Sequence, residues 1–139
     1  MTKIGLLSDT HGWLNPKIYE FFKDCDEIWH AGDIGDYDIT IELSAFKKLR
    51  AVFGNIDDWE IRADFPQFQI FNIEEMKVVM THIGGYPDNY APGIKQLLLE
   101  LFYHIKNALS RQICTKNKLF SKFYIININN PFGGINMEH

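Results

Sequence analysis

Four short apolar runs in this chain each stop at a polar turn, and this recurrence constrains the fold more than any other feature. The runs lie in Lys3 to Ser8, Glu27 to His30, Leu49 to Phe53 and Lys77 to Thr81. The turns that follow are Asp9-Thr10-His11, Gly32-Asp33, Gly54-Asn55-Ile56-Asp57 and Thr81-His82. Short apolar runs bounded by polar turns read as buried strands. Between the first three, apolar residues recur at helical spacing. Leu14, Ile18, Phe21 and Phe22 follow that pattern around Asn15-Pro16, where the proline suits a first helical turn, and Ile39, Leu43 and Phe46 repeat it. Strand, helix, strand, helix, strand predicts parallel strands joined by right-handed crossovers, with polar groups gathered at the strands' carboxyl ends.

The second half has a different rhythm. Gln67 to Ile73 alternates polar and apolar residues, and Glu74-Glu75 separates it from Lys77 to Thr81 as a hairpin turn would. An antiparallel arrangement is expected there. After Pro92-Gly93, the residues Ile94, Leu97, Leu98, Leu101 and Ile105 form one apolar helix stripe, which reads as core packing. The chain contains no internal repeat or low-complexity linker.

With 139 residues, 46% of them hydrophobic, the chain is expected to form one domain with a core that needs no disulfides. Cys25 and Cys114 stand far apart in neither a redox nor a zinc-binding spacing, which fits a reducing compartment. No apolar run approaches the roughly 18 residues of a membrane span. The start of the chain turns polar too early, at Ser8 and Asp9, for a signal peptide, so a cytoplasmic location is expected. The net charge of -4 argues against duplex nucleic acid as a partner, because such binding needs a basic face. That charge is unevenly spread. Residues 1–102 carry 9 Lys and Arg against 17 Asp and Glu, whereas residues 103–139 carry 5 against 1 and hold 6 of the asparagines.

All four polar turns offer ligands for a cation. Asp9 and His11 are two apart, so in extended chain both would point to one side. Mixed carboxylate, carboxamide and imidazole donors favour manganese, iron or zinc over calcium. Each residue also has a plainer reading. Asp9 could begin a turn, Asn55 could supply a left-handed conformation, and His82 could be a hydrogen-bonded structural residue.

Taken in order, Asp-x-His, Gly-Asp, Gly-Asn-x-Asp and Thr-His-x-Gly resemble the motifs of the calcineurin-like metallophosphoesterases. The wording Ser8-Asp9-Thr10-His11-Gly12 with His30-Ala31-Gly32-Asp33 is similar to their small YfcE-type branch. The resemblance covers residues 1 to about 100. It implies an α/β fold, a two-sheet β-sandwich flanked by helices, and two divalent cations. Manganese is the first expectation, with zinc, iron or nickel as alternatives. Asp9 and His11 would hold one ion, Asn55 and His82 the other, and Asp33 would bridge them. The implied function is hydrolysis of a phosphate ester, a phosphodiester above all, by a water that the ion pair acidifies and presents in line with the leaving group. Family members that cleave monoesters strongly often carry a histidine directly after Gly-Asn as general acid, and here that place is Ile56. Poor alkoxide leaving groups should therefore be slow. Asp57 is expected either to orient Asn55 or to sit in solvent beside Asp58. His30 is expected to pack or hydrogen-bond behind the Asp33 loop.

The family's closing Gly-His-x-His motif is missing. The only histidines beyond His82 are His104 and His139. His104 is in register with the apolar stripe; it is a candidate substitute ligand, with a helix-surface position as the alternative. The expectation is thus a single domain over 1–139, family-like over 1–102, with a divergent or replaced tail over 103–139 and an atypical or truncated C-terminal part. Within that tail, Phe120, Phe123, Tyr124, Ile125, Ile126 and Ile128 are β-prone and could pair with the second sheet. The alternative function is a weak or inactive binding module of the same fold, in the manner of a retromer subunit that resembles these enzymes. A non-functional product of an altered gene is the third reading. A homo-oligomer stays open.

Overall fold

The computed structural model describes residues 2–74, 76–86, 89–100, 122–127 and 136–138. Strands β1 (Ile4–Leu7), β2 (Glu27–His30) and β3 (Lys48–Ala51) form a parallel sheet in that order, with Gly5 opposite Ile28 and Ile28 opposite Leu49. Helix α1 (Lys17–Phe21) connects β1 to β2, and α2 (Tyr37–Phe46) connects β2 to β3. The bounds of β2 are those read from the sequence. α1 starts after Pro16, as a proline that fits the first turn should.

The parallel strands have two buried faces, as central strands in layered folds do. One face packs Ile28 and Ala51 against Phe22, Ile39 and Leu43 from the helices. Phe21, expected in that stripe, is instead 82% exposed; a helix this short inserts only the next ring, Phe22, into the core. The other face sets Trp29 and Val52 against Ile73, Val78 and Met80 of the second sheet. Trp29 meets Phe71 edge-on, with ring centroids 4.9 Å apart.

That second sheet has the order β4 (Phe68–Ile73), β5 (Met76–Thr81), β8 (Lys122–Asn127), β9 (Asn136–Glu138). The hairpin of β4 and β5 is antiparallel, as expected, and turns at Glu74, whose φ is 50°. The pairing of β5 with β8 is parallel, with Met76 opposite Lys122 and Thr81 opposite Asn127. The uniformly antiparallel expectation fails at this pair. Single-strand periodicity gives no direction to a partner that arrives after a long crossover. The β-prone segment at 122–127 does join this sheet, while Phe120, Ile128, His104, His139 and Cys114 lie outside the described residues.

A small hairpin, β6 (Gly85–Tyr86) and β7 (Asn89–Tyr90), leads to a helix through residues 92–100. Ile94 is fully buried there, Leu97 and Leu98 are half-buried, and Leu101 and Ile105 lie outside the described residues. Among the described residues no helix is long and apolar enough to cross a membrane.

A buried, ion-paired carboxylate lies within the sandwich. Glu27 is 8% exposed and takes hydrogen bonds from Arg50 Nε at 2.8 Å, Lys48 Nζ at 2.6 Å and Trp29 Nε1 at 3.0 Å. Burial pushes its carboxyl up, but these three donors outweigh it and hold the pKa at about 2. Arg50 in turn lies over the Phe71 ring, 4.2 Å from its centroid.

Candidate active site

The loops that follow β1, β2, β3 and β5 all open at one end of the sandwich, and the loop after β2 is their hub. Its backbone carbonyls bind the first loop in series: Asp9 N–H donates to Gly32 O at 3.0 Å, His11 N–H to Asp33 O at 3.1 Å and Gly12 N–H to Ile34 O at 2.8 Å. The last loop is tied by His82, whose Nδ1 lies 2.8 Å from Ala31 O. The third is tied twice, since Ile56 N–H donates to Asp33 Oδ1 at 3.2 Å and the Asp57 carboxylate accepts from both Gly35 N–H and Gly54 N–H, at 2.8 and 2.7 Å.

Asp57 is therefore a buried brace between two loops, 3% exposed, and not a solvated carboxylate beside Asp58. Asp58 instead caps a short helix, α3 (Trp59–Asp64), accepting from the amides of Glu60 and Ile61.

His30 lies behind the hub, 1% exposed, with both ring nitrogens engaged. Gly32 N–H donates to Nδ1 at 3.2 Å, which places the ring proton on Nε2, 2.9 Å from Thr10 Oγ1. The Thr10 hydroxyl passes the chain on to Ile34 O at 2.9 Å. Burial pushes the pKa of His30 down to about 4, so the imidazole is neutral at pH 7.

Asp33 and His82 form a buried floor, while Asp9, His11 and Asn55 are exposed above it. Asp9, Asp33 and His82 offer donor atoms that all lie within 4.8 Å of one another. His82 Nε2 stands 3.3 Å from Asp33 Oδ2, and His11 Nε2 stands 3.7 Å from Asp33 Oδ2 and 3.8 Å from Asp9 Oδ1. Because a carbonyl only accepts, His82 Nδ1 carries a proton toward Ala31 O, and in the neutral ring Nε2 then carries the lone pair. His82 Nε2 and Asp33 Oδ2 face each other across 3.3 Å, a separation that two ligands of one cation would have. The imidazole–carboxylate separations of 3.3–3.8 Å match donors each about 2.0–2.2 Å from a common ion, so the residues present fit a divalent metal. Asn55 is placed by its neighbours: Ile56 bonds the Asp33 carboxylate, and a Cβ on Gly54 would lie 2.0 Å from Asp33 Oδ1.

Backbone strain marks the same place. Asp9, His11 and Asp33 have φ of 56°, 47° and 55°, in the left-handed region that non-glycine residues seldom occupy. Asp9 and His11 therefore do not converge by strand alternation, as their spacing suggested. They converge because the chain has left the extended region and hydrogen-bonds to the hub. Gly32, at φ 98°, lets His82 approach so closely that a Cβ would lie 2.6 Å from the His82 Cβ.

Residues 2–103 match the model of the calcineurin-like phosphoesterase superfamily domain. The chain belongs to that superfamily. A probable metallophosphoesterase of Methanothermobacter thermautotrophicus is 32% identical over 103 residues, covering 70% of this chain and 59% of that protein. The chain thus spans less than two thirds of the length of this curated relative. A Thermotoga maritima protein solved by NMR in solution is 27% identical with a TM-score of 0.56, over 74% of this chain and 67% of that one. The YfcE phosphoesterase of E. coli shares the fold, with a TM-score of 0.51 and 20% identity over 65% of this chain and 63% of that one. The fold and family implied by the motifs are those found.

One residue of this calcineurin-like phosphoesterase site was not read from the sequence. Arg62, on α3, donates from Nε to Asp57 O at 2.6 Å and from Nη2 to Gly54 O and Asn55 O at 3.2 and 3.1 Å. The signal available was Asp58 as a helix cap, which would have placed Arg62 one turn into a helix returning beside the Asn55 loop.

Proposed function

We propose that this calcineurin-like phosphoesterase hydrolyses small phosphodiesters with two divalent cations, manganese first among the candidates. Asp9 and His11 would hold one, Asn55 and His82 the other, and Asp33 would be shared. The observation that carries the reading is the convergence of Asp9, Asp33 and His82 within 4.8 Å of one another, with His11 Nε2 3.7 Å from Asp33 and 3.8 Å from Asp9. When bound, such ions supply Lewis acidity to the phosphoryl group and acidify the attacking water.

The chain's own residues set the rest. Ala31 O fixes the His82 tautomer that leaves Nε2 as the electron-pair donor, and the Ile56 amide holds one oxygen of Asp33 while the other faces the two imidazoles. Ile56 is 44% exposed beside Asn55 and has no proton to give, so this position supplies no general acid to the departing oxygen. Aryl and other acidic leaving groups are favoured accordingly.

The test is metal content and turnover of bis(p-nitrophenyl) phosphate after purification with Mn²⁺, with Asp33→Asn as control. Two ions per chain, and activity lost in the variant, support the enzyme. No metal and no turnover support the second reading, a binding module of this fold, which the missing Gly-His-x-His motif favours.

A further inference from the structure

We infer that Arg62 is a positioning residue that fixes Asn55 for the second cation, and that its loss weakens that ion selectively. The inference rests on the two-cation reading above. The guanidinium reaches three carbonyls of a single loop, those of Gly54, Asn55 and Asp57, and lies over the Phe53 ring that precedes the loop, 4.4 Å from its centroid.

Four carboxylates, Asp57, Asp58, Glu60 and Asp64, neighbour it in sequence. Among the described residues Arg62 nevertheless gives its donors to carbonyls, with no carboxylate in salt-bridge contact. A planar fork of donors can hold several carbonyls at fixed angles, which a lysine ammonium at the same place cannot reproduce. Asn55 differs from the other candidate ligands in this respect. Asp9 and His11 hang by their own amides from the hub, and His82 by its ring; Asn55 accepts at its carbonyl from Arg62, and among the described residues its loop is otherwise held at the flanking residues Gly54, Ile56 and Asp57. Releasing Arg62 frees the backbone at Asn55 and reaches Asp33 only through the Ile56 amide, while the bonds that hold Asp9, His11 and His82 to the hub stay in place.

The experiment is calorimetric titration of the full chain with Mn²⁺ alone, for wild type, Arg62→Met and Arg62→Lys, with thermal denaturation of each. The expected result is two binding events in the wild type, with the second weakened about 10–100-fold in Arg62→Met and by an intermediate factor in Arg62→Lys, while the first keeps its affinity. A purely structural role would lower the melting temperature and weaken both events together, and that outcome overturns the inference. So does unchanged affinity for both ions. If Arg62→Met does not fold, the comparison of the two events in Arg62→Lys decides. A wild type that binds no Mn²⁺ overturns the metal reading itself and this inference with it.

Discussion

Replacing Gly54 by alanine tests the construction of the site with a single methyl group. Gly54 lies outside the left-handed region, so alanine is acceptable to the backbone, and any effect must come from space. The added Cβ would stand 2.0 Å from Asp33 Oδ1 and 2.3 Å from the Asp33 backbone nitrogen. The first of these falls about 1.4 Å short of ordinary van der Waals contact, which begins at 3.4 Å. The backbone nitrogen cannot rotate away as a side chain could, so the loop carrying Asn55 and the loop carrying Asp33 must separate by about an ångström. Misplacement of that size costs on the order of 100-fold in turnover, and overpacking costs about 1–3 kcal/mol of stability. The assay is hydrolysis of bis(p-nitrophenyl) phosphate with Mn²⁺ titration of the same sample. Gly93→Ala serves as control, because its nearest neighbour is the far edge of the Phe68 ring at 3.3 Å. A Gly54→Ala protein that binds Mn²⁺ and turns over like the wild type would refute the claim that these two loops are packed to fit a ligand set.

Glu27 gives a prediction in pH. Its folded pKa of about 2 lies below the ordinary 4.5, so the stability it contributes is fully present above pH 4.5 and is lost as pH falls toward 2. The size is about 3 kcal/mol, and Glu27→Gln should flatten the stability profile between pH 4.5 and 2; equal acid slopes for both proteins would contradict this. Ile56→His supplies the missing proton donor and should raise turnover of an alkyl phosphomonoester by about 100-fold, measured as released phosphate, with no gain counting against the leaving-group argument. Removal of residues 106–139 deletes the strand that pairs β5 from Met76 to Thr81 and leaves an open edge, so an aggregated or molten product is expected. A cooperative thermal transition in that truncation would contradict the expectation.

The sequence was most informative where a single periodicity decides the outcome. The apolar run ending at His30 forms the strand expected of it, and the turns after β2 and β5 bring Asp33 and His82 to one end of the fold. It was less informative where structure depends on partners distant in the chain. The direction of β8 against β5 is set by the crossover and not by the strand's own residues. α3 escaped notice because six residues with one buried side chain, Ile61, give no amphipathic stripe, and Arg62 escaped with it. The left-handed turns at Asp9 and His11 were hidden for a different reason: the sequence gives the right residues, while the backbone that joins them is dictated by hydrogen bonds to carbonyls at Gly32 and Asp33.

The parallel join between β5 and β8 also has a consequence for synthesis. A ribosome releases the amino-terminal half first, and β1, β2 and β3 can settle with their helices while the rest is still being made. The hairpin of β4 and β5 then waits with one side unzipped until the segment at 122–127 emerges, because its contact reaches from residue 76 to residue 122. During that interval the nascent chain shows Val78, Val79 and Met80 on an unsealed border, and this is the moment at which a holding chaperone would matter most to its yield.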